Sequence, residues 1–233
     1  MGGKVSRIGG ALFCLVVFIL TFATATAMAQ TTVFDNFGTG DTYDSSACYL
    51  AANLGVNWQY VFAFQFQPSA SGYVSDIWLP VNLFEGDTAN NLEIALMTDS
   101  GDQPGIVLET WTFNVSKTFS GTIVHGTGIG TTAISEGVTY WLAATVPSGT
   151  ASAVAWCQNS IGDDEDYFTK ESIGFAGPWV GPYYGNRAAF RIAVNNTPPQ
   201  AVPSMTEWGM IIFMALAGLG AVYYLRRQRR AEN

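Results

Sequence analysis

The chain has 233 residues, 48% of them hydrophobic and only 12% charged, with a formal net charge of −8 at neutral pH. Between Gln30 and Ala201 the balance is more lopsided: Lys117, Lys170, Arg187 and Arg191 stand against sixteen acidic residues, a formal −12. Such a surface repels nucleic acid and anionic membranes, which excludes nucleic-acid binding as a function class.

At the N-terminus, Lys4 and Arg7 precede an apolar run over 11–22, and Ala27-Met28-Ala29 places small residues three and one before Gln30. These three parts predict a secretory signal peptide over residues 1–29, taken up by the Sec translocon. The rival reading, an N-terminal anchor, is short of length, because twelve helical residues reach about 18 Å against a hydrocarbon core of about 30 Å. Cys14 follows Phe13, where a lipoprotein signal would carry a small residue, so no lipid anchor is expected there. Removal of this leader leaves Cys48 and Cys157, an even pair in an oxidising compartment, and predicts a disulfide. The loop it would close, about a hundred residues, corresponds to about 4 kcal/mol in the chain-entropy picture. Two free thiols or a metal site are the alternatives, and with His125 as the lone histidine the ligands are too few for zinc.

Six segments then read as strands: YVFAFQF at 60–66, YVSDIWLPV at 73–81, LEIALM at 92–97, IVLETWTF at 106–113, VTYWLAATV at 138–146 and AAFRIAV at 188–194. Each is rich in β-branched and aromatic residues and is bounded by Gly, Pro, Asn, Asp or Ser. No helical stripe of useful length occurs between them. The expectation is an all-β domain over residues 30–194, an antiparallel β-sandwich or jelly roll. Thr98 to Gly105, with two glycines and Pro104, predicts a hairpin connection.

The residues offer no catalytic constellation. His125, in Thr122-Ile123-Val124-His125-Gly126, has no Gly-x-Ser-x-Gly turn to serve and reads as an ordinary strand-end residue. Gly126-Thr127-Gly128-Ile129-Gly130 lacks the Lys-Ser/Thr end of a phosphate loop. A non-enzymatic protein without an obligatory cofactor is expected. Two segments have binding chemistry. Asp163, Asp164 and Asp166, in the run Asp163-Asp164-Glu165-Asp166, are candidate Ca²⁺ ligands, against a solvated acidic turn. Trp179, Tyr183 and Tyr184, in a loop broken by Gly and Pro, form a candidate platform for sugar rings, against an aromatic cap on the sandwich.

Past residue 194 the chain turns polar and proline-rich over 195–202, an extended linker. The last part, 203–230, opens within Val202-Pro203-Ser204-Met205-Thr206-Glu207-Trp208-Gly209. An uncharged segment over 208–225 follows, long enough at about 27 Å to cross a membrane once. Arg226, Arg227, Arg229 and Arg230 then act as a stop and place that end in the cytoplasm, with the domain outside.

This tail resembles the IPTL-CTERM class of bacterial sorting domains, relatives of PEP-CTERM, whose consensus opens Ile-Pro-Thr-Leu-Ser-Glu-Trp-Gly. Pro203, Glu207, Trp208 and Gly209 match it identically, and Val202, Ser204, Met205 and Thr206 are conservative departures. The resemblance implies export in a Gram-negative bacterium, recognition by an exosortase-type enzyme, a stay in the inner membrane, and delivery to the cell surface or extracellular matrix. The exported part is similar to choice-of-anchor domains of the R type, through Phe34-Asp35-Asn36-Phe37, Ala63-Phe64-Gln65-Phe66, the turn ending Pro104-Gly105, and Gly137 to Leu142 followed by Ala155-Trp156. That resemblance implies architecture and location, but no reaction. The expected role is structural or adhesive; the alternatives are an exopolysaccharide-binding module using the aromatic loop, and a secreted glycan hydrolase.

Overall fold

The computed structural model describes residues 30–53, 59–86, 91–116, 121–147, 152–198 and 205–231, with backbone alone for 84–86, 152, 205–208, 210, 225 and 228–231. The leader expected over 1–29 therefore lies outside the described residues, as do residues 199–202 of the linker expected over 195–202. The chain divides into two units, Met1–Pro198 and Pro199–Asn233.

Among the described residues the first unit is built from thirteen strands: β1 (Gln30–Asp35), β2 (Tyr43–Asn53), β3 (Gln59–Phe66), β4 (Gly72–Gly86), β5 (Asn91–Asp99), β6 (Pro104–Asn114), β7 (Thr122–Thr127), β8 (Ala133–Ile134), β9 (Tyr140–Thr145), β10 (Ser152–Asn159), β11 (Asp164–Lys170), β12 (Val180–Asn186) and β13 (Arg191–Asn195). Pairing is antiparallel throughout, in the order β1-β13-β4-β10-β2-β3-β9-β5-β6; β7 and β8 join along β4, and β11 joins β3 and carries β12. All six predicted strands are present. Of the others, β1 and β7 carry β-branched residues in short runs, and β2 carries none. β2 reads YDSSACYLAAN and β10 reads SAVAWCQN, yet the two pair over eight positions, and β10 is buried on both faces from Ala153 to Cys157.

The sheet is one curled path whose halves are joined, among the described residues, by ladder pairing only where β2 meets β3, at Ala52↔Tyr60 and Asn53↔Gln59. β11 takes up the same edge of β3 further along, from Val61 to Phe64. This handover between β2 and β11 lets the two halves of the sheet diverge. One large core lies inside the curl, where Phe64 meets Trp156 edge-on at 5.3 Å and Phe190 packs against Phe66 at 5.6 Å. A second, smaller cluster lies on the opposite face of β3, β5, β9 and β11: Ala63, Ala95, Met97, Trp141, Ala143 and Phe168. β9 serves both. Its YWLAAT is buried at every position, with Tyr140, Leu142 and Ala144 in the large core and Trp141 and Ala143 in the small one. This explains a run that reads as continuous rather than alternating hydrophobicity.

The second unit contains α1 (Met205–Ala231). It covers the segment expected to span a membrane and continues past it at both ends. Among the described residues, however, no helix is long and apolar enough to cross a membrane. The unbroken run of described side chains, 211–224, has a helical length of only about 21 Å.

Candidate functional site

The outer face of the β12-β11-β3-β9-β5 strands is the place where polar and aromatic side chains from distant parts of the chain converge. Register fixes which residues share that face. Tyr184 on β12 is opposite Asp166 on β11, Gln65 on β3 is opposite Trp141 on β9, and Trp141 is opposite Met97 on β5. A neighbouring row consists of Ala63, Ala143 and Ala95, whose small side chains leave room above the sheet. The segment after β11 fills that room: Phe175 and Trp179 pack on the small cluster. Lys170, buried at 3% exposure, donates to the Ala176 carbonyl and lies 5.6 Å from the Trp179 ring centre. Burial lowers the Lys170 ammonium below its ordinary value.

Beside this cap the face remains open as a cleft of about 490 Å³. Gly101, Asp102 and Gln103 form one wall, Asp166 and Pro182 the other, and Gln65, Trp141 and Phe168 the base. The first wall is a tight hairpin turn. Gly101 and Asp102 have φ of 67° and 60°, and the Ser100 amide donates to the Gln103 carbonyl at 2.9 Å. Two successive positive φ values give the mirror-image turn whose twist suits antiparallel strands. Asp99 ties this wall to the base, accepting from Trp141 Nε1 at 2.8 Å and from the Asp102 amide at 3.3 Å. Sequence reading recognised the turn but could not bring it to β11, because no local pattern encodes that approach.

The expected aromatic platform divides. Trp179 belongs to the cap. Tyr183 faces the large core's edge, 5.6 Å from Tyr167, and Tyr184 stands on the outer face, 73% exposed. Successive residues of a strand point to opposite faces, so β12 cannot present both tyrosines to one ligand.

The acidic run is not a loop: β11 begins at Asp164. Alternation separates Glu165 from Asp164 and Asp166, and Arg187 takes up two of the carboxylates. Its Nη2 donates to Glu165 at 3.0 Å and its Nε is 3.4 Å from Asp163 Oδ2. Arg187 is only 5% exposed, and burial lowers its guanidinium from the ordinary value while Asp163 and Glu165 oppose that. Asn36 also donates to Asp163, at 3.0 Å. Of the candidate Ca²⁺ ligands, Asp163 is engaged by Arg187 and Asn36, and Asp164 and Asp166 lie on β11; among the described residues no group of three acidic, histidine or cysteine side chains is placed to hold a metal ion.

Cys48 and Cys157 are register partners on β2 and β10, but the expected disulfide is not found: both are free thiols, sharing a hydrogen bond of 2.7 Å. That bond lowers the half-exposed Cys48 thiol below its ordinary value, and sharing it with Cys48 raises the buried Cys157. His125 lies inside β7 rather than at a strand end, stacked on Trp78 at 4.9 Å with Nε2 2.6 Å from Asp76 Oδ1. Of the sorting motif, Val202, Pro203 and Ser204 lie outside the described residues, Met205 to Gly209 form the first turns of α1, and Arg226 and Arg227 are exposed near its end. No family model matches the chain, and no curated protein matches it.

Proposed function

We propose that this chain is an exported cell-surface or extracellular-matrix protein of a Gram-negative bacterium, non-enzymatic, with a structural or adhesive role. Its leader at 1–29 is removed after Sec export, and its domain is a β-sandwich of the jelly-roll kind. Its tail holds it in the inner membrane through 208–225 until an exosortase-type enzyme releases it. The observation that carries this reading is α1. Its described side chains from Ile211 to Tyr224 include no charge, and large apolar ones are exposed all round, Phe213 and Tyr223 each at 71%. A helix apolar on every side requires an apolar environment, and the exposed Arg226 and Arg227 follow it directly. Fractionation tests this: the full-length precursor belongs in the inner membrane with residues 30–198 accessible from outside. A soluble cytosolic chain that keeps residues 1–29 would overturn it.

A second reading, an exopolysaccharide-binding module, draws on the outer-face cleft. Carboxylates, carboxamides and rings around one concavity are the groups that recognise sugar hydroxyls and ring faces. It shifts the platform from Trp179 to Tyr184. Retention of purified exopolysaccharide by the full chain, and its loss in Tyr184→Ala, is the expected result.

A further inference from the structure

Resting on the second reading above, that the domain binds a glycan, we propose that the outer-face cleft selects sugars bearing a free amine over neutral or N-acetylated ones. Its volume, about 490 Å³, lies in the range of small-ligand sites. Asp102 approaches from the 100–103 turn and Asp166 from β11, so carboxylates face the space from both walls. Neither takes part in an ion pair among the described residues, whereas the neighbouring Asp163 and Glu165 do. Among the described residues no lysine or arginine lines the cleft; Lys170, two strand positions past Phe168, is committed to the Ala176 carbonyl under Trp179.

The rest of the lining suits a sugar rather than a bare cation. Gln103 offers a carboxamide for hydroxyls, and Gln65, whose Nε2 donates to Glu165 at 2.8 Å, offers its carbonyl oxygen. Outside the lining but across the ladder from Asp166, Tyr184 exposes a ring on which a pyranose or an ammonium rests. The turn is pre-organised by its bonds to Asp99, which reduces the ordering needed on binding. A formal −12 between Gln30 and Ala201 adds a long-range attraction for a polycation but selects no site by itself.

The test uses the purified full chain in detergent at about pH 5.5, where aspartates are ionised and amines protonated. Binding is measured by calorimetry to oligomers of glucosamine, N-acetylglucosamine and glucose. The expected result is binding of the glucosamine oligomer about tenfold or more tighter than of the other two. Asp166→Asn and Asp102→Asn should each weaken it about tenfold, and Tyr184→Ala should weaken all three oligomers. Asp44→Asn, on β2 outside the lining, leaves affinity unchanged, and equal melting temperatures show that each variant is folded. Equal affinity for the three oligomers overturns the amine selection and leaves glycan binding standing. Glucosamine binding that survives in the Asp102 and Asp166 variants reports diffuse surface charge and overturns the cleft. Failure of all three oligomers to bind overturns the glycan reading itself.

Discussion

Tyr49 sits where β2 meets the other half of the sheet. Its ring lies 4.7 Å from Phe64, 5.1 Å from Phe62 and 5.2 Å from Tyr167, and its hydroxyl donates to the Asn186 carbonyl at 2.7 Å. Burial pushes its hydroxyl up to about 12, with smaller contributions from Tyr167 and Asp164. The native state therefore keeps a proton that the unfolded chain loses above about pH 10. The stability from this group is fully present below about pH 10 and is lost as pH rises toward 12. Tyr49→Phe should flatten the decline of unfolding free energy over that window, as denaturant titrations at a series of pH values would show; an unchanged slope would count against this account. The cysteines differ in the same local way. Cys48 is the more acidic and more exposed thiol, so iodoacetamide should alkylate it faster than the buried Cys157 in the native state, by about tenfold or more. Peptide mapping after a short pulse checks this, and equal labelling would refute it.

At the scale of elements, the sequence pattern was legible in the longer β-branched or aromatic runs and illegible in the short strands β1 and β7 and where pairing alone made the strand. β3, β5, β6 and β9 followed from their runs. β12 reads VGPYYGN, whose Gly and Pro argue against a strand; it forms at the sheet's edge, where fewer ladder bonds are demanded. β11 was hidden by its acidic start, because charge patterns predict solvation and the partner that accommodates them, Arg187, is more than twenty positions away in sequence. The segment from 171 to 179 has no regular structure, yet it covers the alanine row through Phe175 and Trp179. Trp179→Ala should therefore lower stability by about 2 to 4 kcal/mol while leaving glycan retention unchanged. Denaturant unfolding and a pull-down on the same variant separate the two; lost retention at full stability would reinstate Trp179 as a ligand contact.

For the whole molecule, both core clusters draw, among the described residues, on the first unit alone. A chain ending at Pro198 should therefore unfold within about 2 °C of the full chain, since ΔΔG of under 1 kcal/mol shifts the midpoint of a domain this size by no more than a few degrees. A larger drop in calorimetry would show that the tail helps to hold the domain. Composition and periodicity by themselves determined the all-β class, most central strands and the 98–105 hairpin, because these depend on neighbours within a few residues. Only the tertiary structure decided that one curled sheet carries two cores, that Tyr183 and Tyr184 face opposite ways, that Arg187 occupies the acidic run, and that Asp102 and Asp166 share a cleft. Those are long-range juxtapositions set by register, and a one-residue change in register would send each of these side chains to the other face.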